Sequence, residues 1–279
     1  MLQYIKYKQP PTIHKMSTTS TEKIQESKQE LVATLKEHHY DTKNEQVIQA
    51  IENLSKLWKE SGSDISQAPA KSDLVYGDWK ILSAPTFPDR IINEDEPDKF
   101  QYTLGRMSFN MFEPRKLVVT ILHPGIQNPV HKIEEEDNKA TYNVLNKIIL
   151  HTDGGDMPAE LFMEGYCTPK TDERLTVGFT AGTLRKTTEV EKDEKLLKLW
   201  NETFDGVYVK SEAQRGYFET GMRYLMSFMM KMTWPSDESM RYEMKRVVHG
   251  FLDILYLDND LRITRGTRGT VVIVERETK

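Results

Sequence analysis

The sequence predicts a mainly β protein with helical additions, in which an antiparallel barrel follows a pair of amphipathic helices. Two observations predict this fold class. Apolar residues recur with a helical period before residue 60, and from Leu74 onward side chains alternate with a period of two. Turn residues such as those at 123–125 and 153–155 divide the alternating region into short pieces, which is typical of a sandwich or barrel.

The helical pair is predicted over residues 23–60. In the second helix, Asn44 is a plausible N-cap and Gly62 follows the end. A helix this short is marginal in water by itself, so its apolar stripe is expected to cover part of the barrel. That stripe consists of Val47, Ile51, Leu54 and Trp58.

The barrel is predicted over residues 74–276, with a helical insertion at about 190–235. Leu175, Val177 and Phe179 alternate with small or polar residues, as expected of a half-buried strand. Candidate strands cover residues 74–83, 101–112, 117–122, 140–151, 161–166, 175–185, 247–257, 261–265 and 271–276.

Composition narrows the class of function. The net charge of −5 argues against a nucleic-acid partner, which requires a basic face. Cys167 is the only cysteine, so neither an intramolecular disulfide nor a cysteine metal cluster is expected. No run approaches the roughly 20 apolar residues of a transmembrane helix, and no secretory signal is expected.

Enzyme motifs give no support for catalysis. The sequence lacks a Walker loop, a dinucleotide fingerprint, a zinc-protease pair and a nucleophile elbow. Cys167 has His151 and Asp172 nearby along the chain, but nothing in the sequence places the three together. We therefore assign no catalytic residue, no metal ligand and no cofactor.

The amino-terminal residues differ from the rest in composition. Residues 1–21 contain lysine and histidine but no acid, and they end in a run of hydroxyl residues. This is typical of organelle transit peptides, although those usually favour arginine over lysine. We predict residues 1–22 to be a disordered tail or a short targeting segment, with the tail favoured.

Trp79 belongs to a G-x-W pattern at the start of the first β segment. A tryptophan there can plug the closed end of a barrel, while Gly77 allows close backbone approach. If Leu261 and Ile263 point inward, Arg265 does too and can stack over an indole. These features suggest a lipocalin-like barrel, in which Trp79 is buried and contacted by Arg265 or, failing that, by Arg262.

The sequence resembles the plastid lipid-associated protein (PAP)/fibrillin family. Its most specific match is YLDNDLRITRGTRG at residues 256–269, followed by an apolar strand at 271–274. The helical pair, the G-x-W and the segment FNMFEP at residues 109–114 match in the same order. The resemblance spans about residues 23–276, so we expect a PAP/fibrillin-like domain over residues 23–279.

The resemblance implies a lipocalin-like barrel without general catalytic activity, found in plastids or cyanobacteria. Its implied ligands are lipids, quinones, carotenoids or fatty acids, and its implied role is structural or photoprotective at thylakoid or plastoglobule surfaces. A barrel of about eight strands has room for one small ligand among apolar side chains. The ligand-binding candidates are Trp79, Met107, Phe109, Val177, Phe179, Ile254, Tyr256 and Arg265.

Two alternatives stay open at this point. The Met-rich stretch at residues 222–234 is either a contact with lipid or with an entering ligand beside the barrel mouth, or a buried helix face. The whole protein is alternatively a protein-interaction scaffold with a packed barrel or, less favoured, a small-molecule enzyme on a barrel scaffold. The sequence predicts no oligomeric state.

Overall fold

The fold is a computed structural model that describes residues 18–96, 98–136 and 138–277. Its helices are α1 (Thr18–Glu37), α2 (Glu45–Glu60), α3 (Asp64–Gln67), α4 (Leu104–Met107), α5 (Thr188–Lys192), α6 (Glu194–Phe204), α7 (Val207–Gln214) and α8 (Tyr217–Met230). Its strands are β1 (Gly77–Ile81), β2 (Phe100–Thr103), β3 (Val118–Ile121), β4 (Gln127–Val130), β5 (Ala140–Thr141), β6 (Val144–Thr152), β7 (Gly155–Pro169), β8 (Arg174–Lys186), β9 (Met232–Thr233), β10 (Arg241–Met244), β11 (His249–Leu257), β12 (Leu261–Gly266) and β13 (Val271–Arg276).

Eight antiparallel strands close into a barrel in the order β1-β13-β12-β11-β8-β7-β6-β4, with β4 pairing back to β1. The short strand β5 extends this wall by pairing with β7. The predicted mainly β fold with an antiparallel barrel is therefore confirmed. The first 17 residues of the predicted tail or targeting segment lie outside the described residues, and α1 begins at Thr18.

The helix α2 packs on the outside of the barrel. Its N-cap is Asn44, whose side chain accepts hydrogen bonds from the next backbone N–H groups. The ring of Trp58 lies 5.4 Å from the ring of Tyr256 on β11, measured between centroids. The predicted apolar stripe is buried against the barrel, which confirms that this helix covers it: Val47, Ile51, Leu54 and Trp58.

The helix α1 is hydrogen-bonded to the turn between β11 and β12. The ammonium of Lys28 donates hydrogen bonds to Asp258 at 2.7 Å and to Asp260 at 3.0 Å. Asp258 also accepts from the hydroxyl of Tyr256 at 2.6 Å and from the backbone N–H of Leu261 at 2.7 Å. The acidic residues of the family-like terminal motif therefore anchor a helix more than 200 residues earlier in the chain.

The same sheet continues beyond the barrel from the far halves of β6, β7 and β8. Strands β3 and β2 extend it from β6, and β10 and β9 extend it from β8. A separate hydrophobic core lies under this sheet and includes Phe100, Met107, Phe112, Leu150 and Trp200. Three strands thus contribute to two cores.

The strand predicted over residues 101–112 is wrong beyond Thr103. The Thr103 hydroxyl oxygen caps the N–H of Arg106, which starts α4, and Phe109 and Asn110 have φ angles of 53° and 59°. Backbone at positive φ cannot continue a strand. The helical insertion predicted at about 190–235 ends earlier, at Met230, because the next residue, Lys231, is left-handed with a φ of 48°.

Candidate functional site

One end of the barrel is open and leads into a cavity of about 410 Å³. The inward-facing side chains of several barrel strands form its walls, because alternate residues of a strand face the same side. These walls are apolar and consist mainly of Ile81, Val144, Val177, Phe179, Leu252 and Val272.

The rim is formed by the loop between β12 and β13 and by the start of β11. Gly269 allows the tight loop, since its φ of 81° is left-handed. Val248 and Phe251 are exposed at the mouth, with 72% and 36% of their surface accessible. Arg268 is the only charged residue among the described residues that line the cavity.

The inner end of the cavity carries two polar side chains, Asn128 and Tyr142. Both ends of the Asn128 amide are hydrogen-bonded, because its nitrogen donates to the Asn143 carbonyl at 2.7 Å and its oxygen accepts from Arg262. The Tyr142 hydroxyl has no hydrogen-bond partner in the described part of the chain. Burial raises the pKa of Tyr142, so the hydroxyl stays protonated at neutral pH and can donate to a polar end of a ligand.

The other end of the barrel is closed by Trp79, which is fully buried. Its indole Nε1 donates to the Val75 carbonyl at 3.0 Å. The guanidinium carbons of Arg262 and Arg276 lie 4.8 and 4.1 Å from its ring. A Cβ atom at Gly77 would lie 2.1 Å from the Arg276 guanidinium, which explains the glycine of the G-x-W pattern.

Trp79 is buried and contacted by Arg262, which confirms these two expectations. The expected contact with Arg265 is wrong. Arg265 is exposed and lies on the outer face of β12. The inward side chains of β12 are Arg262 and Thr264, which pair with the inward Val274 and Val272 of β13. Ile263 points the other way, into the core shared with α2, so the premise of an inward Ile263 is wrong.

Three other candidates also lie outside the barrel interior. Met107 is buried in the second core and Phe109 is 64% exposed, because the chain turns into α4 where a strand was predicted. Tyr256 faces Trp58 outside the barrel, because a register shift between Ile254 and Tyr256 reverses the side on which later residues point.

Four candidates lie inside the barrel. Val177 and Phe179 line the cavity, while Trp79 and Ile254 lie deeper and fill the interior. Sequence reasoning missed Asn128, because β4 was not predicted. Val272 was missed because the first four residues of β13 form a continuous apolar run, which does not show which of them face inward.

The helix α8 is amphipathic, but its polar side faces the protein and its apolar side faces outward. Its polar residues Thr220, Arg223 and Ser227 turn toward the rest of the protein, and none of its side chains is buried. The interpretation of residues 222–234 as a buried helix face is therefore wrong for α8, whereas Met232, which follows the helix, is buried in the second core. The apolar and aromatic residues face outward, and they form what we term the α8 apolar face: Tyr217, Phe218, Met222, Tyr224, Leu225, Phe228 and Met229.

The carboxyl end of α8 lies beside the barrel mouth, as expected from the sequence. The backbone N–H of Arg246 donates to the Met230 carbonyl at 2.9 Å. Two residues further along the chain, Val248 lines the mouth of the cavity. An exposed apolar helix and an open apolar cavity are thus neighbours.

Comparison with known proteins gives one positive result. Residues 138–275, which run from β5 to the penultimate residue of β13, match the PAP_fibrillin family model. Searches of curated proteins and of solved structures returned no match. Among the helices of the described residues, none combines the length and the apolar character needed to cross a membrane.

Proposed function

Because the chain belongs to the PAP/fibrillin family through residues 138–275, we propose that it is a non-catalytic protein that binds an apolar small molecule in its barrel and associates with a lipid surface. The proposed ligand is a lipid, quinone, carotenoid or fatty acid. The proposed setting is a thylakoid or plastoglobule surface in a plastid, or the cyanobacterial equivalent, with a structural or photoprotective role.

The open apolar cavity carries the ligand-binding part of this proposal. Its volume of about 410 Å³ lies within the usual range of small-molecule sites. Its walls offer apolar contacts, and the Tyr142 hydroxyl offers a hydrogen bond that would orient one polar end. A tail too long for the cavity would leave through the mouth and lie on Val248 and Phe251.

The α8 apolar face supports the lipid-surface part. A surface helix normally buries its apolar face in the protein and presents polar residues to water. In α8 this arrangement is reversed, with Tyr217 and Phe228 exposed to 100% and 81%. An interfacial helix inserts such a face to a depth of roughly 5–10 Å among lipid headgroups.

The two alternatives receive less support. A scaffold with a packed barrel does not account for the open cavity. For an enzyme, the one cysteine is a poor nucleophile, because burial raises the pKa of the Cys167 thiol to about 11 and keeps it protonated.

Mass spectrometry of lipids extracted from the natively isolated protein tests the ligand-binding part. We expect one apolar compound, or a narrow class of such compounds, in near-stoichiometric amount. Displacement of a bound neutral apolar fluorophore by the extract is the second readout. A protein that carries no lipid and does not bind the fluorophore would favour the packed scaffold instead.

A further inference from the structure

A second cavity, of about 300 Å³, lies between α7, α8 and the segment that follows α8. Unlike the barrel cavity, it is lined by guanidinium and hydroxyl groups. Its lining includes Arg215, Arg223, Thr220, Ser227 and Trp234. Tyr224 also lines it and belongs to the α8 apolar face, so the cavity borders that face.

Arg215 is a buried cation whose hydrogen bonds are incomplete. Its side chain is only 5% exposed, and its buried Nε atom has no hydrogen-bond partner in the described part of the chain. Arg215 forms two long ion pairs, from Nη1 to Glu212 and from Nε to Glu219, each at 3.7 Å and longer than a hydrogen bond. A buried donor without an acceptor is destabilising, and a ligand oxygen would remove that cost.

Arg223 provides a second cation in the same cavity. Its guanidinium carbon lies 4.0 Å from the centroid of the Trp234 ring, whose indole N–H donates to the Ser227 hydroxyl at 2.7 Å. Among the described residues, Arg223 forms no ion pair. Burial and the neighbouring Arg215 lower the pKa of Arg223, because both disfavour its charged form.

The carboxylates near this cavity form ion pairs with Arg115 and Arg215, and among the described residues none pairs with Arg223. Glu219 is already hydrogen-bonded to Arg115, and this bond lowers the pKa of Glu219. Glu212 lines the cavity, but its side chain is 79% exposed to water. Arg223, without an ion pair among the described residues, therefore lies beside Arg215, whose ion pairs are long, and an anion has room to enter between them.

We propose that this cavity binds the phosphate or sulfonate oxyanion of an anionic lipid headgroup. The planar donor fork of arginine matches the oxygens of such an anion, and the Ser227 hydroxyl adds a further donor, since within the described part of the protein it only accepts a hydrogen bond. The cavity borders the α8 apolar face, so a headgroup in it can belong to a lipid whose tails lie under Tyr224 and Phe228. This inference rests on the proposed association with a lipid surface and adds a preference for anionic lipids.

Vesicle flotation tests the inference with the full chain and two vesicle compositions, phosphatidylcholine alone and phosphatidylcholine mixed with phosphatidylglycerol. We expect tighter binding to the anionic vesicles. Arg223→Gln should weaken that binding about tenfold, which is the loss of one charge-assisted hydrogen bond, and should leave binding to neutral vesicles unchanged. Arg223→Lys keeps the charge but loses the fork, so it should also bind more weakly than the wild type.

The matched control is Lys210→Gln, which removes an exposed cation on α7 that does not line the cavity. Thermal melting of each variant shows that the fold is intact. An equal loss for Lys210→Gln and Arg223→Gln would mean non-specific attraction and would overturn the inference. Equal binding of the wild type to both vesicle types would overturn it too, while leaving the lipid-surface role in place.

Absence of binding to either vesicle would contradict the lipid-surface role itself, and the inference with it. Inorganic phosphate, added at constant ionic strength, identifies the source of the anion. If it releases the protein from anionic vesicles to the neutral level, the cavity accepts the free oxyanion. If binding persists and Arg223→Gln still weakens it, the lipid-borne headgroup is the occupant, whereas persistent binding that Arg223→Gln does not weaken would overturn the inference.

Discussion

The guanidinium of Arg262 lies over the ring of Trp79 at the closed end of the barrel, 4.8 Å from the ring centroid. Arg262 is 1% exposed and forms no ion pair among the described residues. Its partners are neutral: the Val75 carbonyl at 3.2 Å and the Asn128 amide oxygen. Burial lowers the pKa of Arg262, so this buried cation depends on those acceptors and on the indole face.

Replacing this arginine should destabilise the fold. Arg262→Met leaves the buried Asn128 oxygen without its donor, and we expect a loss of about 1–3 kcal/mol in the free energy of unfolding. Arg265→Met, three residues along the same strand and exposed, should change it by less than about 0.5 kcal/mol. Chemical denaturation measures both, and similar losses for the two variants would contradict the assignment of Arg262 as the inward residue.

Trp79 should be a major contributor to stability. Trp79→Ala removes a fully buried side chain and should cost about 3–5 kcal/mol in the free energy of unfolding. Trp79→Phe keeps a ring under the two guanidinium groups but loses the hydrogen bond to Val75, so its cost should be smaller. A negligible effect of the alanine variant would mean that this end of the barrel is not packed as described.

The barrel cavity should accept a larger wall residue. Val177→Phe places extra atoms in open space, so it should leave the unfolding free energy nearly unchanged and weaken binding of an apolar fluorophore. Val119→Phe makes the same change in the second core, where Val119 is fully buried and lines no such space. Overpacking there should cost about 1–3 kcal/mol. Equal destabilisation by the two variants would argue that the cavity is closed.

Acidification should lower the free energy of unfolding, because it protonates Asp258. Burial raises the pKa of this carboxyl, but hydrogen bonds from Lys28, Tyr256 and two backbone N–H groups outweigh it, so the pKa is lowered overall. The corresponding stability is present above the unfolded pKa of about 4 and is lost as the pH falls through the lower folded value.

Urea midpoints measured between neutral and acidic pH test this linkage. Asp258→Asn should be less stable than the wild type at neutral pH and should lose less stability on acidification. The control is Asp95→Asn, an exposed residue in the loop before β2, which should follow the wild-type curve. Parallel curves for the wild type and Asp258→Asn would exclude the proposed linkage.

The parts of the fold that follow from local periodicity were predictable from the sequence. The stripe of α2 and the alternation of β8 repeat with the period of their own element, so each shows its buried side without knowledge of the rest. The G-x-W pattern correctly indicated a buried Trp79 with an arginine over its ring.

The remaining parts depend on long-range packing. In β12, Leu261 to Thr264 are buried on both faces, because α2 covers the outside, so apolar character does not distinguish inward from outward residues. In β11, one register shift reverses the side of Tyr256. Neither effect leaves a local signal, and both Arg265 and Tyr256 were misplaced for this reason.

The strands shared by the two cores have a consequence for how the molecule responds to heat and to ligands. Strand β7 contributes Cys167 to the barrel core and Leu161 to the second core, and β8 contributes Val177 and Leu184 in the same way. Since neither core can lose these strands and stay intact, both should melt in one cooperative transition. A molecule bound at the barrel mouth would then also protect the distant backbone amides of β2 and β3 from hydrogen exchange.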